Sequence, residues 1–178
     1  MEHFSTQNKN EYAENQKKYS QELLEVEKLA DKLGSRIEEG IKETVAILRA
    51  MDFPTSSSCA GHKSDEEGYK IPYVRIYAPA PKGWIEDKQN KELRELWKQE
   101  NEKQREKMEP LLNDFNAAKN ISADAKLYTE DIGIFGGFTL KNMAATFISK
   151  EDAIEKITLY QEEMANFTKF LKTRFLVQ

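Results

Sequence analysis

Cys59, the only cysteine of the chain, stands three residues before His62, one of its two histidines, within Thr55-Ser56-Ser57-Ser58-Cys59-Ala60-Gly61-His62. A thiol and an imidazole at that spacing, across a turn containing glycine, are the parts of an activated nucleophile. A neighbouring imidazolium lowers a thiol pKa, and the thiolate is the reactive form. The backbone N–H groups of Ala60, Gly61 and His62 offer a second chemistry, because successive turn amides form a concave nest for an anion or an oxyanion. Ser56, Ser57 and Ser58 add hydroxyl donors. Cys59 and His62 are therefore the candidate catalytic residues. Ser57, Ser58, Gly61 and Arg75 are the candidate contacts to a small anionic ligand. A buried structural cysteine followed by a solvated turn histidine explains the same spacing without chemistry. The residue types leave both readings open, and with them whether the protein is an enzyme.

Cys-x-x-His is also a metal-ligand spacing, but a structural tetrahedral site needs further ligands. The chain has no second cysteine, His3 lies near the terminus, and the nearby carboxylates are Asp65, Glu66 and Glu67. On that ligand count the sequence assigns no metal, and it specifies no cofactor. The second glycine cluster, Gly133-Ile134-Phe135-Gly136-Gly137-Phe138, has neither the G-x-G-x-x-G order nor the Lys-Ser/Thr of a phosphate loop. Glycines set among aromatic and β-branched residues predict a hairpin turn or bulge. Trp84, after Lys82-Gly83, could stack a base, with Lys82 or Arg75 on a phosphate. It could equally close over the core as a strand-end aromatic.

The elements that must position these residues follow from apolar spacing. Residues 1–10 are polar and predict a frayed, flexible tail, leaving 11–178 as a single domain. Tyr12, Tyr19, Leu23, Val26, Ala30 and Leu33 make one stripe on a charged helix that Gly34 ends. Ser35 and Glu38 read as the capping box of a second helix, with Ile37, Ile41, Val45 and Leu48 on its apolar side. Asp52-Phe53-Pro54 forces the chain out of that helix. Thr55–Ser58 then reads as extended, residues 60–69 as a polar loop, and residues 71–77 as the clearest strand. A long charged helix is predicted over 85–109, with sparse apolar positions Leu93, Leu96 and Trp97, and Pro110 opens a short continuation to Lys119. Such a helix either protrudes or packs through a narrow seam, where a protein partner or a second copy could pair with it. Residues 126–129 and 132–140 read as two more strands, and 150–175 as a strong amphipathic helix. The sum is an α+β fold: a small, mostly antiparallel sheet packed against several helices, with long amphipathic helices at both ends.

Composition narrows the partners. The net charge of −4, from 31 acidic and 27 basic side chains, argues against nucleic acid and anionic membranes as partners. One cysteine cannot form an internal disulfide, which fits a reducing compartment. Met1-Glu2-His3-Phe4-Ser5 carries no signal-peptide pattern and no segment has membrane-spanning length, so the expected location is cytoplasmic.

Two resemblances add to this reading. Pro54–His62, followed by Pro72-Tyr73-Val74-Arg75-Ile76, resembles an uncharacterised group of small bacterial and phage proteins that share Ser-Cys-x-Gly-His and then Pro-aromatic-Val. Residues 162–172 are similar to the closing helix of that group. That resemblance brings no established activity, and it leaves open a non-enzymatic interaction or regulatory module. Thr55–His62 is also similar, at a greater distance, to the Ser-Ser-Cys-x-Gly-Arg motif of the wybutosine-synthesis methyltransferase-like family, with His62 at the arginine position. Lys82-Gly83-Trp84 resembles that family's later glycine-tryptophan segment. This second resemblance implies S-adenosylmethionine and tRNA modification.

Overall fold

The structure is a computed structural model that describes residues 2–30, 34–64, 68–118 and 120–176. Leu33 and the carboxylates Asp65, Glu66 and Glu67 lie outside the described residues.

Helix α1 (Glu2–Lys28) and helix α2 (Glu39–Ala50) pack side by side. The backbone is helical from Glu2, where the sequence predicted a tail to about residue 10. Of the expected stripe on α1, Tyr19 and Val26 are buried, while Tyr12 is exposed. The helix stops at Lys28, short of Gly34, and Ala30 instead bridges to Arg36. Helix α2 is covered on more than one side: Ile41, Val45 and Leu48 of the predicted stripe are buried, and so are Ala46 and Ile47 between them. It sits between α1, the sheet and the last helix, which explains an apolar arc wider than one stripe.

Past Pro54 the chain forms β1 (Thr55–Cys59), β2 (His62–Ser64), β3 (Gly68–Lys70) and β4 (Tyr73–Ile76). The segment read as a polar loop therefore contains a short hairpin, β2 with β3. Helix α3 (Lys91–Ala117) is followed by a 3-10 turn (Ala123–Ala125), β5 (Leu127–Ile132) and β6 (Gly137–Asn142). The main sheet is antiparallel throughout, in the order β1-β4-β6-β5, with β1 at one edge. The second glycine cluster supplies the turn of the β5–β6 hairpin, as its composition predicts. Val74, Ile76, Phe138, Leu140 and Leu127 are buried in one core with residues of α2, α3 and the final helix.

Helix α3 starts later than predicted because Asn90 caps it, its side chain accepting from the N–H groups of Glu92 and Leu93 at 3.0 and 3.1 Å. It also runs through Pro110 unbroken, although proline removes one helical hydrogen bond. Met108, Leu112 and Phe115 are buried in the same core on either side of Pro110, so packing holds both halves on one axis. Of the sparse apolar positions on α3, Leu93 and Trp97 are half-buried and Leu96 is exposed. Trp97 stacks on Phe135 with ring centroids 4.4 Å apart, Trp84 meets both of these rings edge-on, and Tyr77 meets Trp97 edge-on. Trp84 is thus engaged with the rings of Trp97 and Phe135. Asn101, fully buried, accepts from the Ala78 N–H at 2.7 Å and donates to the carbonyls of Trp97 and Phe135.

The final helical segment is divided: α4 (Ala144–Phe147), α5 (Lys150–Glu155) and α6 (Ile157–Leu176), with the break at Lys156 where one continuous helix was predicted. Tyr160, Met164, Phe167 and Leu171 bury the face that α6 turns to the core. No helix among the described residues is long and apolar enough to cross a membrane.

Candidate functional site

Strand β1 ends at Cys59, two residues make the corner, and β2 begins at His62. The corner is held from both sides. Gly61 has φ +84°, the left-handed region, and a Cβ there would lie 2.6 Å from the Pro72 ring. From α6, the Gln161 amide donates to the Gly61 carbonyl at 2.8 Å. On the other side, Gly40 in the first turn of α2 lets Ala60 approach, since a Cβ on Gly40 would stand 3.2 Å from the Ala60 Cβ. The start of α2 is thereby pressed against the end of β1.

That contact delivers a residue whose role differs from the sequence reading. Glu38 does not complete a capping box. It sits at the N-cap position of α2 with extended backbone and makes no side-chain cap hydrogen bond. Its carboxylate crosses to the corner instead. Oε2 accepts from the Ala60 N–H, and Oε1 lies 3.1 Å from His62 Nδ1. His62 Nδ1 in turn lies 3.5 Å from Cys59 Sγ, and Sγ accepts from the Gly61 N–H at 3.4 Å. One ligand atom each from Glu38, Cys59 and His62 fall within 4.8 Å of one another. No spacing rule could have found Glu38, because Ser-x-x-Glu before an apolar run has the same form whether or not the glutamate caps.

The electrostatics change what Cys59 can do. Burial pushes its thiol up to about 11, and the Glu38 charge adds to the rise, while the Gly61 N–H and Lys70 work against it. At neutral pH the sulfur therefore keeps its proton. The thiolate nucleophile that the spacing suggested lacks its activating condition. Burial also opposes the charge on Glu38, but the Ala60 N–H and the hydrogen bonds to Cys59 and His62 outweigh it and hold the carboxyl below its ordinary range. The amide nest expected at residues 60–62 is thus engaged from within, by the protein's own carboxylate and sulfur.

The corner opens on a groove of about 670 Å³ between β1 and the segment leading into α2. Ser57 and Ser58 line it beside Cys59 and His62, as do Arg36 and Arg49. Arg75 pairs with Ser57 across β1 and β4, but it lines a different cavity, on the outer face of the sheet. The structure therefore groups Cys59, His62, Ser57, Ser58 and Gly61 around the corner, while Arg75, the cross-strand neighbour of Ser57, lines the adjoining cavity. No protein-family model, curated protein or solved structure matches the chain.

Proposed function

We propose that the Glu38–Cys59–His62 corner binds a divalent transition metal of the zinc class, with one coordination position open to the groove. The observation that carries the reading is the set of distances between the donors. Around a tetrahedral zinc, sulfur and nitrogen ligands stand about 3.5 Å apart, and nitrogen and oxygen about 3.3 Å. The corresponding separations here are 3.5 Å for Cys59 Sγ to His62 Nδ1 and 3.1 Å for His62 Nδ1 to Glu38 Oε1.

The surroundings support the same reading. Ligand atoms in metal sites are oriented by outer hydrogen bonds. Here the Ala60 N–H fixes Oε2 and leaves Oε1 directed at the imidazole, and the Gly61 N–H points at the sulfur. A thiolate and a carboxylate would neutralise a divalent ion. Binding would displace the thiol proton, which burial otherwise retains. Among the described residues the cluster has three such side chains, the number typical of sites that keep a water or substrate position. A metal held there would lower the pKa of its water and polarise a bound carbonyl or phosphoryl oxygen. Ser57, Ser58, Arg36 and Arg49 would line the approach. The Cys-x-x-His spacing alone lacked the ligands for this assignment, and Glu38 supplies the third.

Cobalt(II) titration tests it. One equivalent should bind, with the intense near-ultraviolet absorption of a thiolate–cobalt bond, and zinc should displace it. Acidification of a lightly buffered solution should accompany zinc binding, reporting the thiol proton. Cys59→Ser should remove the absorption, and His62→Gln and Glu38→Gln should each weaken binding about tenfold to a hundredfold. Substoichiometric binding, or a spectrum unchanged in Cys59→Ser, sinks the proposal.

A further inference from the structure

The outer face of the sheet carries a second cavity whose chemistry is unlike that of the corner. Along β4, Val74 and Ile76 are buried in the core, and side chains alternate along a strand. Tyr73 and Arg75 therefore stand on the opposite face. The register sets Lys141 opposite Tyr73, Thr139 opposite Arg75, and Glu130 opposite Thr139, so all of these share that face. Above them lies a cavity of about 410 Å³, bounded at its side by Lys70, Ile71, Ile148, Ser149 and Ala153. That volume falls within the range of about 300–1,000 Å³ found for small-molecule sites.

Its lining is chemically two-sided. Among the described residues lining it, Lys70, Arg75 and Lys141 are cationic and Glu130 is the carboxylate. Glu130 is committed to Lys141, with Nζ and Oε2 at 2.6 Å. Arg75 has no carboxylate partner among the described residues; its guanidinium lies 5.4 Å from the Tyr73 ring centroid. A guanidinium beside an aromatic ring keeps its planar fork of donors available, the geometry that matches a carboxylate or phosphate in two parallel hydrogen bonds. Ile132 and Ile148 provide an apolar wall on the same cavity.

We infer that this basin binds a small molecule bearing a carboxylate or phosphate group, the anion on the Arg75 guanidinium with Lys70 nearby and the apolar remainder against Ile132 and Ile148. The inference stands on residues other than the three proposed metal ligands and holds whether or not a metal occupies the corner. The two cavities meet at Lys70 and Tyr73, which line both.

The test uses the full chain, stripped of metal with EDTA and then repeated with zinc, titrated with phenyl phosphate, benzoate, inorganic phosphate and benzyl alcohol while amide chemical shifts are followed. Phenyl phosphate, benzoate or both should shift amides of β4 and β6 and saturate, and the tighter of the two identifies the anion. Inorganic phosphate should bind about tenfold more weakly than phenyl phosphate for want of apolar contact. Arg75→Gln should weaken the bound probe about tenfold or more, with Arg75→Lys between the two, because lysine keeps the charge and loses the fork. Glu130→Gln should bind the probe at least as well as the parent chain. Benzyl alcohol binding as tightly as the anions, an affinity unchanged in Arg75→Gln, or no shifts with either anionic probe would each overturn the inference. A failed cobalt titration with an intact probe response separates this site from the metal reading.

Discussion

Asp124 and Glu38 are both carboxylates held below their ordinary range, yet the groups that hold them differ in kind. Burial opposes the charge on Asp124, and the hydrogen bonds from Tyr160, Ser122 and Lys156 outweigh it. The Tyr160 hydroxyl donates at 2.8 Å and the Lys156 ammonium stands at 3.1 Å. That cluster carries its own cation and ties the 3-10 turn to the break between α5 and α6. Glu38 is held by a backbone N–H, an imidazole and a thiol. The thiol becomes a ligand on releasing its proton, the neutral imidazole is a ligand as it stands, and the ion-pair partner of Glu38 among the described residues is a histidine. The same penalty of burial is thus met by a permanent charge at one place and by exchangeable protons at the other. A closed cluster of the first kind stabilises the fold, and a cluster of the second kind can trade its thiol proton for a divalent ion.

The sharpest way to break this comparison is to exchange the effects. Asp124→Ala removes the acceptor of a buried tyrosine hydroxyl and should cost about 3 kcal/mol in denaturant unfolding, while leaving cobalt binding unchanged. Saturating zinc should raise the stability of the parent chain by about 2.7 kcal/mol at a hundredfold excess over Kd, and Cys59→Ser should abolish that gain. If zinc stabilises Cys59→Ser equally, the two clusters do not differ as argued. Gly61→Ala forces a side chain into the left-handed region and against Pro72; a loss of about 1–3 kcal/mol is expected, together with weaker cobalt binding. Such a variant that binds cobalt normally would show that the corner need not be held rigidly.

The smallest effect separates the clusters by pH. A carboxyl whose folded pKa is depressed contributes stability above its unfolded value, which is lost as pH falls through the folded value. Metal-free protein should therefore lose stability on acidification from just above the ordinary aspartate range downward, and Asp124→Asn should show a shallower loss. The raised Cys59 thiol acts at the other end: between its ordinary value of 9.0 and about 11 the folded form retains a proton that the unfolded chain releases. Stability should fall as pH rises through that window, and Cys59→Ser should flatten the fall. Equilibrium urea unfolding across pH checks both arms.

The corner was legible in part. Cys59 at a strand end, the Gly61 turn and His62 beyond it follow from hydroxyl-rich extended residues giving way to glycine. Glu38 was not legible as a site residue, because its use depends on Gly40 admitting Ala60 from 20 residues away along the chain. A capping box and a carboxylate reaching across the fold share one local pattern. Helix α3 shows the same limit from the other side. Its sparse apolar positions allowed a protruding helix, yet Asn101 is buried in it, because three hydrogen bonds satisfy an amide that composition marks as polar. Pro110 read as a boundary because proline removes a local bond. Packing of Met108, Leu112 and Phe115 outweighs that loss, and packing has no signature within a few residues.

By itself the sequence determined the α+β class, the order of most helices and strands, the β5–β6 hairpin and the turn between Cys59 and His62. Each of these rests on neighbours within a turn or a strand, where periodicity and glycine placement carry the information. The tertiary structure alone decided that Glu38 joins the thiol and imidazole, that Arg75 lines the adjoining basin, and that burial leaves the thiol protonated. Those outcomes depend on which surfaces exclude water together, a property of the packed chain.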